Sequence, residues 1–334
     1  MIDLALDVRR SSHMSLGMIA YVRELAVRLP QVAPDLRLAT FGRGDNFGFA
    51  EQLAMPLWIA RHRPRLVHVP SPYVPLWCPA PFVVTVHDLI ELRFPEYAKP
   101  TVGPYFRWLV APALRRAAAV LTDDPRTAGD LVSLLRTPRE RIRIVPLGVD
   151  DAFLDAPPAE PREPPYLLYV GNRRPHKDLP TLLRAWRALP AELALDLHLS
   201  GDAAPAFAPY ARDDARIVSL GELGRAELIE AYRGATLYVH PSRYEGFGLP
   251  LLEASVLGVP AIATPSGVPQ PLQAAVATFP PGDDAALAAL IAHLLEDRVA
   301  LCARGRAARS VARAYSWDRC ARATAAVYRE LLVR

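Results

Sequence analysis

Two glutamates, Glu245 and Glu253, lie in the stretch with the clearest chemical signal, "HPSRYEGFGLPLLEASVLGVP" at 240–260. A predicted strand ends at the start of this stretch, a polar loop with Gly246 and Gly248 follows, and a helix comes next. The glycines let the backbone approach a ligand closely, and the helix N-terminus favours an anion. Carboxylates accept hydrogen bonds strongly from hydroxyl groups such as those of a sugar. Taken singly, Glu253 is better interpreted as a first-turn acid of the helix and Glu245 as a solvated loop acid, so the prediction depends on the two together.

A second candidate site is the basic loop in "YVGNRRPHKDLPTLL", residues 169–183. An apolar run ends at Gly171, and a helix is predicted to begin near Asp178. Between them lie four side chains that can carry positive charge: Arg173, Arg174, His176 and Lys177. Fixed positive charge at this point suits a diphosphate, whose negative charge grows as it departs. The alternative is a solvated basic turn in which Asp178 caps the helix.

Weaker signals lie in the first half of the chain. His87 follows the apolar run "FVVTV", and the carboxyl end of a parallel strand is where ligands bind. Packing or capping is the alternative role for His87, and Asp88 is interpreted as a cap of the next turn. Gly17 lies in "SSHMSLGMIAYVREL", between the first predicted strand and helix, where a glycine allows close backbone approach.

Apolar strands alternate with amphipathic helices through both halves of the chain. In the first half, strands are predicted at 2–8, 36–41, 66–69, 82–86 and 118–121, with a helix at 18–29. In the second half, strands are predicted at 166–170, 194–199, 217–220, 236–240 and 261–264, with helices at 179–189, 225–233, 250–257 and beyond 284. Short apolar strands that alternate with helices predict an α/β fold with parallel sheets covered on both faces.

The alternation stops at 150–165, "DDAFLDAPPAEPREPP", which is rich in proline and acidic residues. This composition predicts a linker between two Rossmann-like domains of similar size. We expect the first domain at 1–155 and the second at 165–316. Two such sheets face to face would hold a ligand in the cleft between them.

The longer stretch "HPSRYEGFGLPLLEASVLGVPAIAT" resembles the retaining GT-B glycosyltransferases of family 4, which carry an E-x7-E motif. The resemblance implies the GT-B fold, in which two Rossmann-like domains face each other across a cleft. It implies that Glu245 lies near the donor sugar and that Glu253 holds the nucleotide ribose. It also implies that the backbone of the intervening loop faces the sugar and the diphosphate, through Gly246, Phe247, Gly248 and Leu249. The resemblance covers nearly the whole chain and is strongest in 166–265.

Four other segments resemble the same family. The basic loop after Gly171 implies that Lys177 and Arg173 bind the diphosphate, with Arg174 as the competing arginine. "TVHDLIELRFPE" implies that His87 contacts the donor sugar. Gly17 stands where the family has a Gly-rich turn that touches the donor phosphate. "YSWDRCARATAAVYRELL" resembles the last helix of the family, which implies that about 317–334 packs back on the N-terminal domain and crosses to it at Trp317.

Composition excludes several classes of protein. Hydrophobic residues make up 51% and charged residues 22% of the 334 residues, as in a globular protein, and no apolar run reaches membrane-spanning length. The start of the chain lacks the features of a signal peptide, so we expect a cytoplasmic protein. The net charge of +4 suits an anionic ligand and leaves room for peripheral contact with the inner face of a membrane, but it is too scattered for nucleic acid. Cys78, Cys302 and Cys320 are interpreted as unpaired thiols.

Missing motifs exclude other enzyme classes. The first turn lacks the GxGxxG of a dehydrogenase, and the chain has no Walker A, HExxH or GxSxG sequence. It also has no Asp-x-Asp, with which metal-dependent glycosyltransferases of another fold hold the diphosphate. We therefore expect no metal site, and we expect helix N-termini and Lys177 to bind the diphosphate.

The resemblance implies a glycosyltransferase that retains configuration. Together with the observations above, it predicts a metal-independent enzyme without a cofactor, which moves a hexose from a nucleotide-diphosphate sugar to an acceptor hydroxyl. "TVHDLIELRFPE" and the C-terminal pattern most resemble the mannosyltransferases of the family, so GDP-mannose is the favoured donor and UDP-glucose stays open. The acceptor is a glycan, a glycolipid or a small molecule. Two alternatives remain: a sugar-nucleotide 2-epimerase of the same architecture, and a catalytically silent nucleotide-sugar-binding protein.

Overall fold

The computed structural model describes residues 1–10, 14–42, 50–74 and 77–333, which form two compact units. The first unit comprises Met1–Gly148 and Tyr315–Arg334, and the second comprises Val149–Ala314. In its described residues each unit contains one six-stranded sheet in which neighbouring strands are parallel. The predicted α/β fold with two Rossmann-like sheets is thereby confirmed.

The first unit begins with a strand and a long helix. Its strands are β1 Leu4–Asp7, β2 Leu38–Phe41, β3 Leu66–Val69, β4 Phe82–Thr85, β5 Ala119–Thr122 and β6 Ile142–Ile144. The α-helices that precede β6 are α1 Leu16–Val32, α2 Glu51–His62, α3 Ile90–Arg93, α4 Val102–Tyr105, α5 Ala111–Arg116 and α6 Pro125–Leu135. The strand order is β2-β1-β3-β4-β5-β6. Every residue of β3, β4 and β5 is buried, as expected for parallel strands with helices on both faces.

The second unit repeats the strand–helix pattern. Its strands are β7 Tyr166–Val170, β8 Asp196–Ser200, β9 Ile217–Gly221, β10 Leu237–His240, β11 Ala261–Ala263 and β12 Ala277–Thr278. Its helices are α7 Asp151–Asp155, α8 Leu179–Arg187, α9 Ala204–Asp213, α10 Arg225–Gly234, α11 Leu249–Leu257, α12 Asp284–Glu296 and α13 Arg298–Ala312. The order β12-β11-β10-β7-β8-β9 is that of a Rossmann sheet, in which the direction of winding reverses between β7 and β10.

The last helix, α14 Trp317–Val333, belongs to the first unit although it follows the second in the chain. It packs against α1, where Arg28 forms ion pairs with Glu24 and Asp318. Trp317 is buried, and its backbone is so close to Gly148 that a Cβ at position 148 would lie 2.2 Å from the nitrogen of Trp317.

Part of the predicted linker is ordered structure of the second unit. Residues 151–155 form α7, which Asp150 caps by accepting a hydrogen bond from the backbone of Ala152. Further along, the backbones of Ala159 and Arg162 donate to Leu257 and Gly234. Because these bonds tie 149–165 to the second unit, the division falls at Gly148 and Val149 rather than at 155.

Candidate functional site

The residues with the strongest chemical signals lie at the reversal point of the second sheet. Lys177 follows β7, and Glu245 follows β10, and these two strands are neighbours. In open parallel sheets a crevice forms at this point, because the connections of the two strands leave toward opposite sides. The topology therefore brings the predicted basic loop and the first predicted glutamate to one edge.

The side chains of Lys177 and Glu245 form an ion pair. The Nζ atom of Lys177 lies 2.6 Å from Oε1 of Glu245, and the two side chains are 14% and 9% exposed. Glu245 is held in this position from the strand side as well, because Nε2 of His240 lies 3.1 Å from the same oxygen. Nε2 of His240 and Oε1 of Glu245 are close, but their geometry is not that of a hydrogen bond.

The ionisation of Glu245 is set by its neighbours. Burial alone would raise the pKa of this carboxyl group, but Lys177 and then His240 more than offset burial and hold the pKa well below its ordinary value. Tyr238 supports the arrangement, because its hydroxyl hydrogen-bonds to Nδ1 of His240 at 2.9 Å. The site therefore holds a fixed carboxylate and a fixed ammonium group in a nearly dry environment, where charges interact more strongly than in water.

The loop between the two glutamates is shaped by Gly248, the N-cap residue of α11. Its φ of 83° is in the left-handed region, and a Cβ there would lie 2.9 Å from the carbonyl oxygen of Gly267. Leu249 is the first residue of α11, and Phe247 is buried. The predicted loop and helix start are thus present, and the dipole of a helix favours an anion near its N-terminus.

Glu253 lies inside α11 and is only partly buried. Its Oε2 accepts a hydrogen bond of 3.3 Å from the hydroxyl of Tyr232, which also bonds to the carbonyl of Pro250 at 3.0 Å. Burial raises the pKa of Glu253 to about 7, and the hydrogen bond from Tyr232 and the charge of Arg225 offset this only in part. The pKa values of the two glutamates are therefore shifted in opposite directions.

The remaining residues of the basic loop differ from one another in exposure and charge. Arg173 is 46% exposed, and its Nε lies 3.6 Å from Asp202 rather than beside Glu245. Arg174 is exposed. His176 is buried, and burial followed by the charge of Lys177 lowers its pKa to about 4, so it adds no positive charge at neutral pH.

Contacts within the described part of this loop involve Asp178 and Gly171. Asp178 does not cap α8 with its side chain; its carboxylate instead accepts a hydrogen bond of 3.1 Å from Arg243. Gly171 is required by packing, because a Cβ there would lie 2.9 Å from the hydroxyl of Tyr169. That hydroxyl donates to the carbonyl of Asn172 and so fixes the start of the loop.

In the first unit, one candidate residue lies beyond the carboxyl end of an inner strand and the other lies in the first helix. His87 follows β4, and its Nδ1 lies 2.6 Å from Oδ2 of Asp123, the residue after β5. Burial by itself lowers the pKa of His87, but the charge and hydrogen bond of Asp123 reverse this and raise it. Gly17 is the second residue of α1 and not part of the preceding turn, because Ser15 caps the helix by accepting from the backbone of Met18.

Three residues of the site were not predicted from the sequence: Asp123, Tyr232 and His240. Asp123 and His240 had a usable signal, since each is a polar residue at the end of an apolar strand, where ligands of parallel sheets bind. Tyr232 had none, because only the packing of α10 against α11 brings its hydroxyl to Glu253.

The described residues contain neither a metal-binding cluster nor a membrane-spanning helix. Within the ranges that the structure describes, His, Cys, Asp and Glu form no group of three that could hold a metal ion. No helix in the same ranges is both long and apolar enough to cross a bilayer.

Two family models match the chain, one in each half. "Glycosyltransferase Family 4" matches residues 20–153, and "Glycosyl transferases group 1" matches residues 164–297. The first match lies almost entirely in the first unit, and the second lies in the second unit.

Curated relatives are themselves glycosyltransferases. The chain is 29% identical over 296 residues to O-antigen chain mannosyltransferase B of Escherichia coli, covering 82% of this chain and 77% of that protein. It is 32% identical over 291 residues to D-inositol 3-phosphate glycosyltransferase of Thermobispora bispora, covering 76% of this chain and 66% of that protein.

Solved structures share the fold across the chain. Sucrose-phosphate synthase from Thermosynechococcus elongatus superposes with a TM-score of 0.77 at 20% identity, covering 100% of both chains. The Anabaena protein HepE, solved with UDP-glucose, superposes with a TM-score of 0.75 at 16% identity, covering 98% of this chain and 99% of that one. With its two matching family models and this fold, the chain consists of the two domains of the family 4 and group 1 glycosyltransferases and is a glycosyltransferase of the GT-B type.

Proposed function

We propose that this glycosyltransferase transfers a hexose, with mannose favoured, from a nucleotide-diphosphate sugar to a hydroxyl of a glycan or glycoconjugate. Transfer proceeds with retention of configuration and without a metal ion. The observation that carries the proposal is the buried pair of Lys177 and Glu245 at the reversal point of the second sheet. A fixed cation at this position suits a departing diphosphate, and a fixed carboxylate suits the hydroxyls of a sugar.

Each residue has a separate part in this proposal. Lys177 and the N-terminus of α11 stabilise the negative charge of the leaving diphosphate, and Arg173 adds to this from the exposed side of the loop. Glu245 orients the donor sugar, and Glu253 binds the ribose hydroxyls. The hydroxyl of Tyr232, 3.3 Å from Oε2, orients the carboxyl group of Glu253 and supports this role.

His87 and the acceptor belong to the first unit in this proposal. His87 contacts the donor sugar, and the acceptor binds mainly to the N-terminal domain. No side-chain nucleophile is assigned: the departing phosphate takes the proton of the acceptor hydroxyl as the new glycosidic bond forms on the same face of the sugar. The bond from the anomeric carbon to the phosphate oxygen breaks in the same process, which leaves the nucleoside diphosphate as the second product.

Relatives support mannose as the favoured sugar. O-antigen chain mannosyltransferase B and the MMP alpha-(1->4)-mannosyltransferase of Mycolicibacterium hassiacum are 29% and 28% identical to the chain. The sulfoquinovosyl transferase of Arabidopsis thaliana is also 28% identical, so the choice between donors needs a direct measurement.

A donor screen by thermal shift tests the proposal. The purified protein, without added metal, is compared with GDP, GDP-mannose, UDP, UDP-glucose and UDP-N-acetylglucosamine. A ligand that binds only the folded state stabilises it by about 2.7 kcal/mol at a hundred times its dissociation constant, which gives a readily measured shift. We expect stabilisation by GDP and GDP-mannose. Stabilisation by the UDP series alone would replace the donor but keep the reaction, and no response to any nucleotide would overturn the proposal.

A product assay separates transfer from epimerisation. Incubation of the stabilising donor with mannose-containing glycans is expected to give the nucleoside diphosphate and a lengthened glycan. Conversion of the nucleotide sugar to its C2 epimer without any acceptor would instead identify a sugar-nucleotide 2-epimerase.

A further inference from the structure

The pair of His87 and Asp123 is built by two neighbouring strands. β4 and β5 are parallel, with Val84 opposite Val120, so the residues that follow them meet at the same edge of the sheet. His87 and Asp123 are 10% and 2% exposed, and their 2.6 Å contact is short, as expected for a charge-assisted hydrogen bond. Burial raises the pKa of Asp123, and the charge and hydrogen bond of His87 offset this in part. In its ionised form the carboxylate can only accept, which puts the proton of this contact on Nδ1 of His87.

The imidazole ring of His87 is also fixed from its other sides. Tyr21 of α1 meets it edge to face, with the ring centroids 4.8 Å apart at 84°. The backbone carbonyl of His87 accepts a hydrogen bond of 3.3 Å from Thr127 of α6. These contacts restrict rotation of the ring, so the direction in which Nε2 points is set before any ligand binds.

The second ring nitrogen has no hydrogen bond within the described parts of the chain. Nε2 of His87 is buried, and only the backbone carbonyl of Pro70 comes near enough to favour a charged ring. A buried polar atom without a partner is rare and often marks a site where a ligand completes the bonding.

The charged groups around the ring favour the cation. Burial lowers the pKa of His87, but Asp123, then Asp88 and the Pro70 carbonyl, outweigh this and raise it. Burial lowers the pKa of nearby His68 to about 3, so that residue is neutral.

The other titratable groups near this pair add no competing positive charge. Burial raises the pKa of Tyr21 and of Cys320, and both are neutral. Asp124 is held by its own ion pair with Arg126 at 2.8 Å.

We infer that Asp123 is a positioning residue for the transfer, which keeps His87 doubly protonated so that its Nε2–H donates a hydrogen bond to an oxygen of the bound nucleotide sugar. This inference rests on the proposed function for the identity of the ligand. It assigns His87 the role of a cationic donor and excludes the role of a general base, because a ring that already carries both protons cannot take one from the acceptor.

The substitution Asp123→Asn tests this inference, because asparagine keeps an oxygen acceptor for Nδ1–H but removes the negative charge. We expect the pKa of His87 to fall, because the neighbouring charge that raises it is removed. The pKa and the protonation of both ring nitrogens can be followed by ¹⁵N NMR, with His87→Asn to identify the signal. The wild-type ring is expected to carry protons on both nitrogens at neutral pH.

The pH dependence of kcat/KM for GDP-mannose is the functional readout. If the cation is the active form, kcat/KM falls as pH rises through the pKa of His87, and in Asp123→Asn this alkaline limb moves to lower pH. The matched control is Asp124→Asn, which changes the adjacent carboxylate and is expected to leave the limb in place. If Asp123→Asn instead moves the acid limb of the kcat/KM profile, His87 acts as a base and the inference is overturned. A profile that Asp123→Asn does not move also overturns it.

Failure of the proposed function would be distinguishable from failure of this inference. If no nucleotide sugar is turned over, the NMR titration still reports whether Asp123 keeps His87 charged, since it needs no substrate. A wild-type His87 that is neutral at pH 7 overturns the inference even if Asp123→Asn does not fold. Comparison of GDP with GDP-mannose by thermal shift then locates the oxygen: an effect of Asp123→Asn on both indicates phosphate, and an effect on GDP-mannose alone indicates the sugar.

Discussion

Glu245 keeps its negative charge although water is almost excluded from it. Lys177 lies 2.6 Å from its Oε1, and His240 lies 3.1 Å from the same atom. Glu253, eight positions later on α11, accepts a hydrogen bond from the hydroxyl of Tyr232, and burial raises its pKa to about 7. Two residues of one type in one motif therefore differ in chemistry, because the residues beside them differ in charge.

The role of Lys177 can be tested with Lys177→Ala. Removing one preorganised charge from a dry site is expected to lower turnover by a factor on the order of 10². Lys99→Ala is the matched control, because Lys99 is exposed and is the other lysine of the chain. Turnover is measured with saturating donor, and a value near that of the unmutated protein would contradict the role.

A second variant separates catalysis from stability. Lys177→Ala leaves Glu245 as a buried carboxylate without its main partner, which costs about 3–5 kcal/mol of stability in comparable pairs. Combining it with Glu245→Gln removes that buried charge, so the double variant is expected to regain stability in urea unfolding. Its turnover is expected to stay low, because neither the cation nor the sugar-orienting carboxylate is restored.

At the scale of elements, close contact between α11 and α13 holds the motif helix in place. Gly258, with a φ of 81°, is the C-cap residue of α11, and Gly305 of α13 lies directly against it. A Cβ at position 305 would be 2.2 Å from the carbonyl oxygen of Gly258, a distance that no side chain tolerates. Since Glu253 is on α11, the approach of these two helices helps to fix the site.

The substitution Gly305→Ala is therefore expected to destabilise the protein by about 1–3 kcal/mol, because it forces the two backbones apart. Gly129→Ala is the control, since Gly129 lies in α6 with no atom within 4 Å of its added Cβ. In Gly129→Ala, the higher helix propensity of alanine is expected to stabilise the protein by up to about 1 kcal/mol. Urea unfolding midpoints measure both, and equal shifts in the two variants would show that the close contact has no energetic effect.

At the scale of the whole molecule, the chain returns to its first unit at the end. Tyr328 of α14 is fully buried there, and its hydroxyl lies 2.6 Å from Nδ1 of His68, a buried residue of β3. The other ring nitrogen of His68 hydrogen-bonds to Thr85 at 2.8 Å. The last residues of the sequence thus complete the core behind the first sheet.

We expect Tyr328→Phe to destabilise the first unit by about 1–3 kcal/mol, because it leaves a buried ring nitrogen of His68 without its partner. Hydrogen exchange should rise in peptides from β3 and β4 and stay unchanged in peptides from β7. Tyr97→Phe is the control, because Tyr97 is 43% exposed. Faster exchange in both units alike would show that α14 does not stabilise the first unit selectively.

Sequence periodicity predicted most of the strands because their residues are continuously apolar. β6, "IRI", and β12, of two residues, were not predicted, since such short segments carry too little pattern. The helix at 151–155 was also missed, because its neighbouring prolines dominated the composition of the segment. Its order depends on contacts with residues far away in sequence, and composition does not report these.

The sequence by itself determined the two-fold strand–helix repeat and the candidate chemistry of Lys177, Glu245 and Glu253, because hydrophobic period and residue type are local properties. Only the tertiary structure decided which side chains meet: it joined Lys177 to Glu245 across two neighbouring strands and His87 to Asp123 across two others. It also decided charge, leaving His176 neutral and raising the pKa of Glu253. The physical reason is that burial and the distance to neighbouring charges set a pKa, and both depend on residues that are remote in the chain.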